Sequence, residues 1–348
     1  MRSGATPFAQ GFRMPAEWAP QSAVWLSWPY NLEETWEGHI DGAEKAFTEM
    51  IEILTQHQTV ELLVPNAEVQ NRALGKIKTS KANMKRLRTH LIETGDIWIR
   101  DYGPIFVTRQ SPAHEVAYTK WTYNAYGNKY DALLIGNEAP NKMPLEGYPR
   151  FETGLVLEGG SIDVNGTGTL LTTESCLLSP DRNPHMNREQ IEEALKNYLG
   201  ATNVLWLGEG IEGDDTTGHV DDLTRFVGQS TVITVVEEDP TDANFKPLQE
   251  NAKRLRSMKD ETGTPLTVIE IPMPKKFVVD GRRMAATYAN FLIANGVVLV
   301  PVYAQSSDKI ALEALKKCFP DRDVIGIDCR ELIWGYGSIH CASQQQPA

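Results

Sequence analysis

The sequence predicts an α/β protein built from a hairpin, helix, strand unit that recurs about five times and is arranged radially, with strands around a central channel and helices outside. Three observations carry the prediction. Segments with period-2 apolar alternation come in pairs separated by turn residues, one amphipathic helix follows each pair, and a short apolar strand closes the group. A doubly wound sheet would alternate single strands with single helices, and this chain does not.

The units are clearest from the middle of the chain onward. "GLVLEGGSIDVNGTGTLLTT" reads as two strands turning at Asn165-Gly166, "NREQIEEALKNYLG" as a helix closed by Gly200, and "NVLWLG" as the closing strand. "DDLTRFVGQSTVITVV" turns at Gly228-Gln229 and precedes the helix "NFKPLQENAKRLRSMK" and the strand "LTVIEI". "YANFLIANGVVLVPVY" turns at Asn295-Gly296, followed by the helix "SDKIALEALKKCF" and the strand "DVIGIDC". The first half is looser. "AVWLSWP", the helix "AEKAFTEMIEILTQ" and "TVELLVP" make a partial unit, and "DIWIRDYGPIFVTR" with "HEVAYTKW" opens a second hairpin. No low-complexity linker divides the chain, so residues 1–348 are expected to form a single domain.

Composition narrows the function classes. A net charge of −12 lacks the basic stripe of a nucleic-acid binder and suits a cationic ligand, although acidic excess also keeps an ordinary enzyme in solution. No stretch approaches the roughly 20 apolar residues of a membrane span, and the N-terminal segment has no apolar leader, so no membrane partner and a cytoplasmic location are expected. Cys176, Cys318, Cys329 and Cys341 are scattered without zinc or disulfide spacing.

Four polar segments interrupt the apolar pattern: "DIWIRDYGP", "LEGGSID", "GDDTTGHVDD" and the terminal "GYGSIHCAS". If "SIHCAS" is extended, His340 and Cys341 point to opposite faces, which argues against a catalytic couple of neighbours. Cys341 reads either as a small buried hydrophobe or as a nucleophile, with Gly335 and Gly337 freeing the backbone for a close approach; His340 reads as structural. In "GHVDD", His219 and Asp221 would share one strand face as an acid/base and carboxylate pair, with a divalent metal site as the competing reading. In "DIWIRDYGP", alternation would part Trp98 from Asp101 unless the chain bends; the plainer reading is a core Trp98 and an Arg100 to Asp101 ion pair. Glu158 interrupts an apolar strand and is either solvent-facing or held by a partner.

Taken together and in order, "MPAEWAPQSAVWLSWP", "WIRDYGPIFV", "EGGSIDVNGTGTLLTTESCLL", "GHVDDLTRFV" and "GSIHCASQQQPA" resemble the agmatine deiminase and bacterial peptidylarginine deiminase family almost end to end. The resemblance implies the pentein fold, a five-bladed pseudo-symmetric α/β propeller of ββαβ units, and hydrolysis of a guanidino group to a ureido group without cofactor or metal. Carried over by position, it makes Cys341 the nucleophile, His219 the general acid/base, Asp101 and Asp221 the carboxylates that grip the guanidinium, Glu158 a partner in the acid/base network and Trp98 a wall over the substrate beside Gly337. The chain departs from the family's usual glycine-rich run at Tyr336 and Ser338, and from its acidic position at Thr217.

These residue types suit that reaction. A guanidinium offers several N–H donors, which two carboxylates satisfy and one does not, and a thiol near a cation is readily activated. The expected substrate is agmatine, a small cationic guanidine; the rivals are free or peptidyl arginine and, in another class, a silent binding protein that would have lost the nucleophile or the base. A papain-like thiol hydrolase is disfavoured because its cysteine lies near the start of the mature chain. A homodimer is expected by resemblance only.

Overall fold

The computed structural model describes residues 6–31, 35–111, 113–279 and 281–348. The first five residues of the N-terminal segment read above lie outside them. Among the described residues are five sheets of three or four strands, and each repeats one connectivity: an antiparallel pair followed by a parallel strand.

The three units from the middle of the chain form as their turns dictate. Asp163–Val164 pairs with Thr169–Thr173, which lies parallel to Asn203–Leu207. The intervening helix Arg188–Leu199 carries a capping box of Asn187 and Gln190 and ends at Gly200, whose φ of 74° closes the last turn without a Cβ clash. Thr224–Gly228, Thr231–Val236 and Thr267–Pro272 make the next sheet, with helix Phe245–Ser257 between the second and third strands. Leu292–Ala294, Val297–Val302 and Asp323–Asp328 make the fifth, with helix Ser306–Cys318. The turn residues also join neighbouring sheets. Asn165 Nδ2 donates to the Gln229 carbonyl at 2.9 Å, and Asn295 exchanges hydrogen bonds with the Gln21 backbone at 3.0 and 2.7 Å.

The first half is more regular than its sequence suggests. Ile105–Arg109, Glu115–Thr122 and Arg150–Val156 form one complete sheet. Gln21–Ser27 and Thr59–Val64 are parallel across helix Ile40–His57, and the antiparallel partner of Gln21–Ser27 is Ser343–Pro347, so the C-terminal strand completes the first sheet. Leu87–Leu91 extends that sheet at its other edge. A two-stranded hairpin, Val278–Val279 with Arg282–Arg283, stands apart from the five sheets. None of the described helices is long and apolar enough to cross a membrane.

Candidate active site

The polar segments do not fold as the extended strands that alternation assumed. Residues 95–97 bend and Ile99–Tyr102 make one helical turn, closed by the Gly103 N–H donating to the Ile99 carbonyl at 2.8 Å. Only glycine fits there, because a methyl on Gly103 would meet that carbonyl oxygen at 2.4 Å. The turn corrects the predicted separation: Trp98 and Asp101 line the same pocket, with Cys341. It also breaks the expected Arg100 to Asp101 pair. Arg100 points away, donating to Gln345 Oε1 at 2.6 Å and to the His340 carbonyl at 3.3 Å.

Residues 339–342 are likewise a turn rather than an extended strand, with the Ala342 N–H donating to the Ser338 carbonyl at 3.1 Å. Asn290 holds it. Its Oδ1 accepts from the His340 and Cys341 N–H groups at 3.0 and 3.2 Å and from the Ser338 hydroxyl at 2.9 Å, and its Nδ2 lies 3.0 Å from Cys341 Sγ. The two glycines expected to free the backbone do so for the Trp98 indole. A methyl on Gly337 would meet its Cζ3 at 2.7 Å, and one on Gly335 its Cζ2 at 2.9 Å. Tyr336 between them has φ 76°, a left-handed conformation that disfavours a side chain, and the Arg282 guanidinium lies 3.5 Å over its ring.

His219 and Asp221 stand on a 3-10 turn, Val220–Asp222, which replaces the expected strand. His219 is fully buried, its Nδ1 3.8 Å from Asp101 Oδ1 and 4.0 Å from Asp221 Oδ1, and neither ring nitrogen has a hydrogen-bond partner among the described residues. Cys341 Sγ is 3.6 Å from Asp221 Oδ2. Asp101 is held by the Gly160 N–H at 2.9 Å and by the Tyr126 hydroxyl at 2.9 Å. Glu158 is fully buried rather than solvent-facing, and its partner is Arg182, whose Nε donates at 2.9 Å. Arg182 also donates to the Thr216 carbonyl at 2.8 Å and to Thr217 Oγ1 at 3.4 Å, which ties the Thr217 departure to the carboxylate network.

The His-x-Asp spacing does not bring its two residues into one metal-type cluster. Where three ligand-type atoms lie within 4.8 Å of one another, His219 falls with Glu158 and Cys176, and Asp221 with Asp222 and Cys341.

The charges bias one another strongly. Burial, then the Asp221 and Glu158 charges, push Asp101 up to about 6, against the opposing pull of His219. Burial alone would strip His219 of its proton, but Asp101, Cys176 and Asp221 outweigh it and hold the imidazole protonated well past its usual range. Burial and the carboxylates of Asp221, Asp222 and Asp101 push the Cys341 thiol well up. A flat cation seated between these groups would neutralise the carboxylates and draw the thiol back toward thiolate.

Three of these groups meet at Gly160. A methyl there would meet His219 Nδ1 at 2.6 Å, Asp101 Oδ1 at 2.9 Å and Asp221 Oδ2 at 3.1 Å. Gly160→Ala is therefore expected to lower kcat/KM by about 10²-fold by displacing the groups that position substrate. Steady-state kinetics with a thermal scan would check this, and a wild-type kcat/KM would refute it.

A repeated α/β scaffold in which a pocket-lining thiol and carboxylate, Cys341 and Asp101, stand beside a buried imidazole and a second carboxylate, His219 and Asp221, defines a thiol-centred deiminase class. A family model described as Porphyromonas-type peptidyl-arginine deiminase matches residues 13–347, and the chain belongs to that family. It is 36% identical over 368 residues to an agmatine deiminase of Ectopseudomonas mendocina, covering 99% of this chain and 97% of that one. The solved agmatine deiminase of Enterococcus faecalis has a TM-score of 0.91 at 34% identity, covering 99% of this chain and 98% of that chain. A solved putative arginine deiminase from Porphyromonas gingivalis has a TM-score of 0.86 at 35% identity, covering 97% and 98%. The mixed α/β fold is that of these deiminases.

Residue by residue, Cys341, His219, Asp101, Asp221 and Trp98 come together, and Glu158 lies within 4.8 Å of His219 and Cys176. Sequence reasoning missed Asn290, Arg182 and Tyr126. A lone polar Asn290 inside "YANFLIA" was a readable signal; the other two had none.

Proposed function

We propose that the protein is an agmatine deiminase, converting agmatine and water to N-carbamoylputrescine and ammonia. The observation that carries this reading is the convergence of His219, Asp101 and Asp221 on the Gly160 backbone within reach of Cys341. The relatives named above support it. The pocket volume of ≈ 160 Å³ lies below the roughly 300–1,000 Å³ of drug-sized sites, which favours a short guanidine over a peptide. The five sheets are read as blades of a pseudo-symmetric propeller in a single catalytic domain, with the pocket at one end of a central channel.

In this mechanism the guanidinium binds across Asp101 and Asp221 under Trp98, and its charge drives the Cys341 proton out to solvent, since His219 already carries one. The Cys341 thiolate attacks the guanidinium carbon. Protonated His219 gives its proton to the departing nitrogen, ammonia leaves, and a covalent thiouronium remains. Neutral His219 then takes a proton from water as the hydroxyl adds to that carbon. Collapse breaks the C–S bond as the proton of the added hydroxyl passes to the departing sulfur, releasing the ureido product and regenerating the Cys341 thiol beside protonated His219. Glu158, fixed by Arg182, steadies the His219 charge through this cycle.

Arg282 favours a second substrate, free arginine, because a cation at the pocket wall suits a carboxylate and agmatine has none. Ureido formation on agmatine, arginine and an arginine peptide separates the readings. Arg282→Ala is expected to raise kcat/KM for agmatine and lower it for arginine. Unchanged values for both would remove Arg282 from substrate selection, and no ureido product from any of the three would favour a silent binding protein.

A further inference from the structure

Behind Asp221, on the side away from the pocket, the buried groups form a second layer that the deimination chemistry does not use. His340 Nδ1 lies 2.6 Å from Asp221 Oδ2, and its Nε2 lies 2.8 Å from Glu17 Oε2. Both carboxylates and the imidazole are buried. An ionised carboxylate only accepts hydrogen bonds, so an imidazole that bridges two of them must donate from both nitrogens and carry a positive charge.

The surrounding charges are balanced for that state. Glu17 also accepts from Arg225 Nη2 at 2.6 Å and from the Ile293 N–H at 2.6 Å, and Arg100 Nη2 lies 3.8 Å away. Arg225 Nε in turn donates to Asp163 Oδ1 at 2.9 Å. Three cations, His340, Arg225 and Arg100, therefore face three carboxylates, Glu17, Asp163 and Asp221. On its pocket side Asp221 faces His219 and Cys341, and Asp222 and Asp101 act on the same site.

The same carboxylate oxygen meets both the thiol and His340. Asp221 Oδ2 is 3.6 Å from Cys341 Sγ and 2.6 Å from His340 Nδ1. Burial would push Asp221 toward its protonated form, and His340 with His219 and Arg225 reverses this, holding it below the usual carboxylate range. Glu17 is held low in the same way: burial opposes ionisation, and Arg225 and His340 outweigh it.

We propose that Glu17, His340 and Asp221 form a carboxylate, imidazolium, carboxylate relay in which His340 and Glu17 are positioning residues that keep Asp221 ionised and aimed at the guanidinium. The relay rests on the deimination reading above. It gives the N-terminal "MPAEW" segment a part in the chemistry, because Glu17 anchors the imidazolium from outside the pocket.

The test compares the pH dependence of kcat/KM for agmatine in the wild type, His340→Gln and Glu17→Gln. A glutamine amide donates from one end only, so His340→Gln cannot serve both carboxylates. It is expected to lower kcat/KM by about 10–100-fold and to move the acidic limb of the profile to higher pH, because Asp221 loses its cation. Glu17→Gln leaves His340 anchored on one side only, so it should move the acidic limb in the same direction by a smaller amount. Its effect should largely vanish in the His340→Gln background. A merely structural pair would lower the melting temperature and leave the acidic limb where it is, and that outcome overturns the relay.

Should His340→Gln fail to fold, Glu17→Gln decides by the acidic limb alone. Should the wild type turn over no agmatine, the deimination reading fails on its own, and the relay is judged by the pH dependence of Cys341 alkylation by iodoacetamide. Asp221 touches that thiol, so the same variants should shift the alkylation profile. Profiles that coincide with wild type refute the relay.

Discussion

Cys341→Ser is expected to reduce ureido formation from agmatine by at least about 10⁴-fold while leaving agmatine binding close to wild type. The loss follows from the proton chemistry of the site. Burial and the carboxylates of Asp221, Asp222 and Asp101 already hold the thiol well above its usual range, so the free enzyme is not primed. Only the arriving guanidinium, with protonated His219, brings a thiol within reach of ionisation. A serine hydroxyl starts far higher and stays neutral under the same field. Binding persists because Asp101, Asp221 and Trp98 are untouched. Acid quench of turning-over wild type should show a mass gain on the Cys341 peptide, absent in the variant. The same argument makes a cationic haloacetamidine alkylate Cys341 faster than neutral iodoacetamide at neutral pH. Equal rates for the two reagents would sink substrate-assisted activation, and wild-type turnover by Cys341→Ser would sink the covalent route.

The parts of the fold that the sequence showed are those whose signals are local. Asn165-Gly166, Gly228-Gln229 and Asn295-Gly296 each set a hairpin within a few residues, and each is followed by its own capped or patterned helix. The first sheet was read only in part, as two strands and a helix, because its antiparallel partner, Ser343–Pro347, comes from the far end of the chain. No local pattern encodes that pairing. The site shows the same division. Cys341, His219, Asp101 and Asp221 were named through ordered motifs, yet alternation misplaced all three backbone segments that carry them, because it presumes extended chain where there are turns. Arg182 and Glu17 escaped notice because their meaning lies in partners 24 and 323 residues away, Glu158 and His340.

Asp101→Asn is expected to lower kcat/KM for agmatine by about 10³-fold and, in the same protein, to raise thermal stability at neutral pH. Activity falls because an amide matches the shape of the carboxylate but not its charge, leaving the guanidinium gripped by Asp221 alone. Stability rises for the opposite reason. Asp101 is pushed up to about 6 from 3.8 by burial and by its neighbours Asp221 and Glu158. The folded state therefore binds the Asp101 proton more tightly than the unfolded chain does. Stability declines as pH rises between about 4 and 6, and above that window the folded protein carries the whole penalty, on the order of 3 kcal/mol. An asparagine carries none of it and can still accept from the Gly160 N–H. Thermal scans of wild type and variant should differ by several degrees at pH 7.5, with the variant higher, and should converge toward pH 4. A variant that melts at or below wild type at pH 7.5, or a gap that does not close on acidification, would show that Asp101 is not held ionised at a cost. The convergence is the decisive part, because a packing effect would be independent of pH, whereas a carboxylate kept charged for substrate is destabilising only where it is charged.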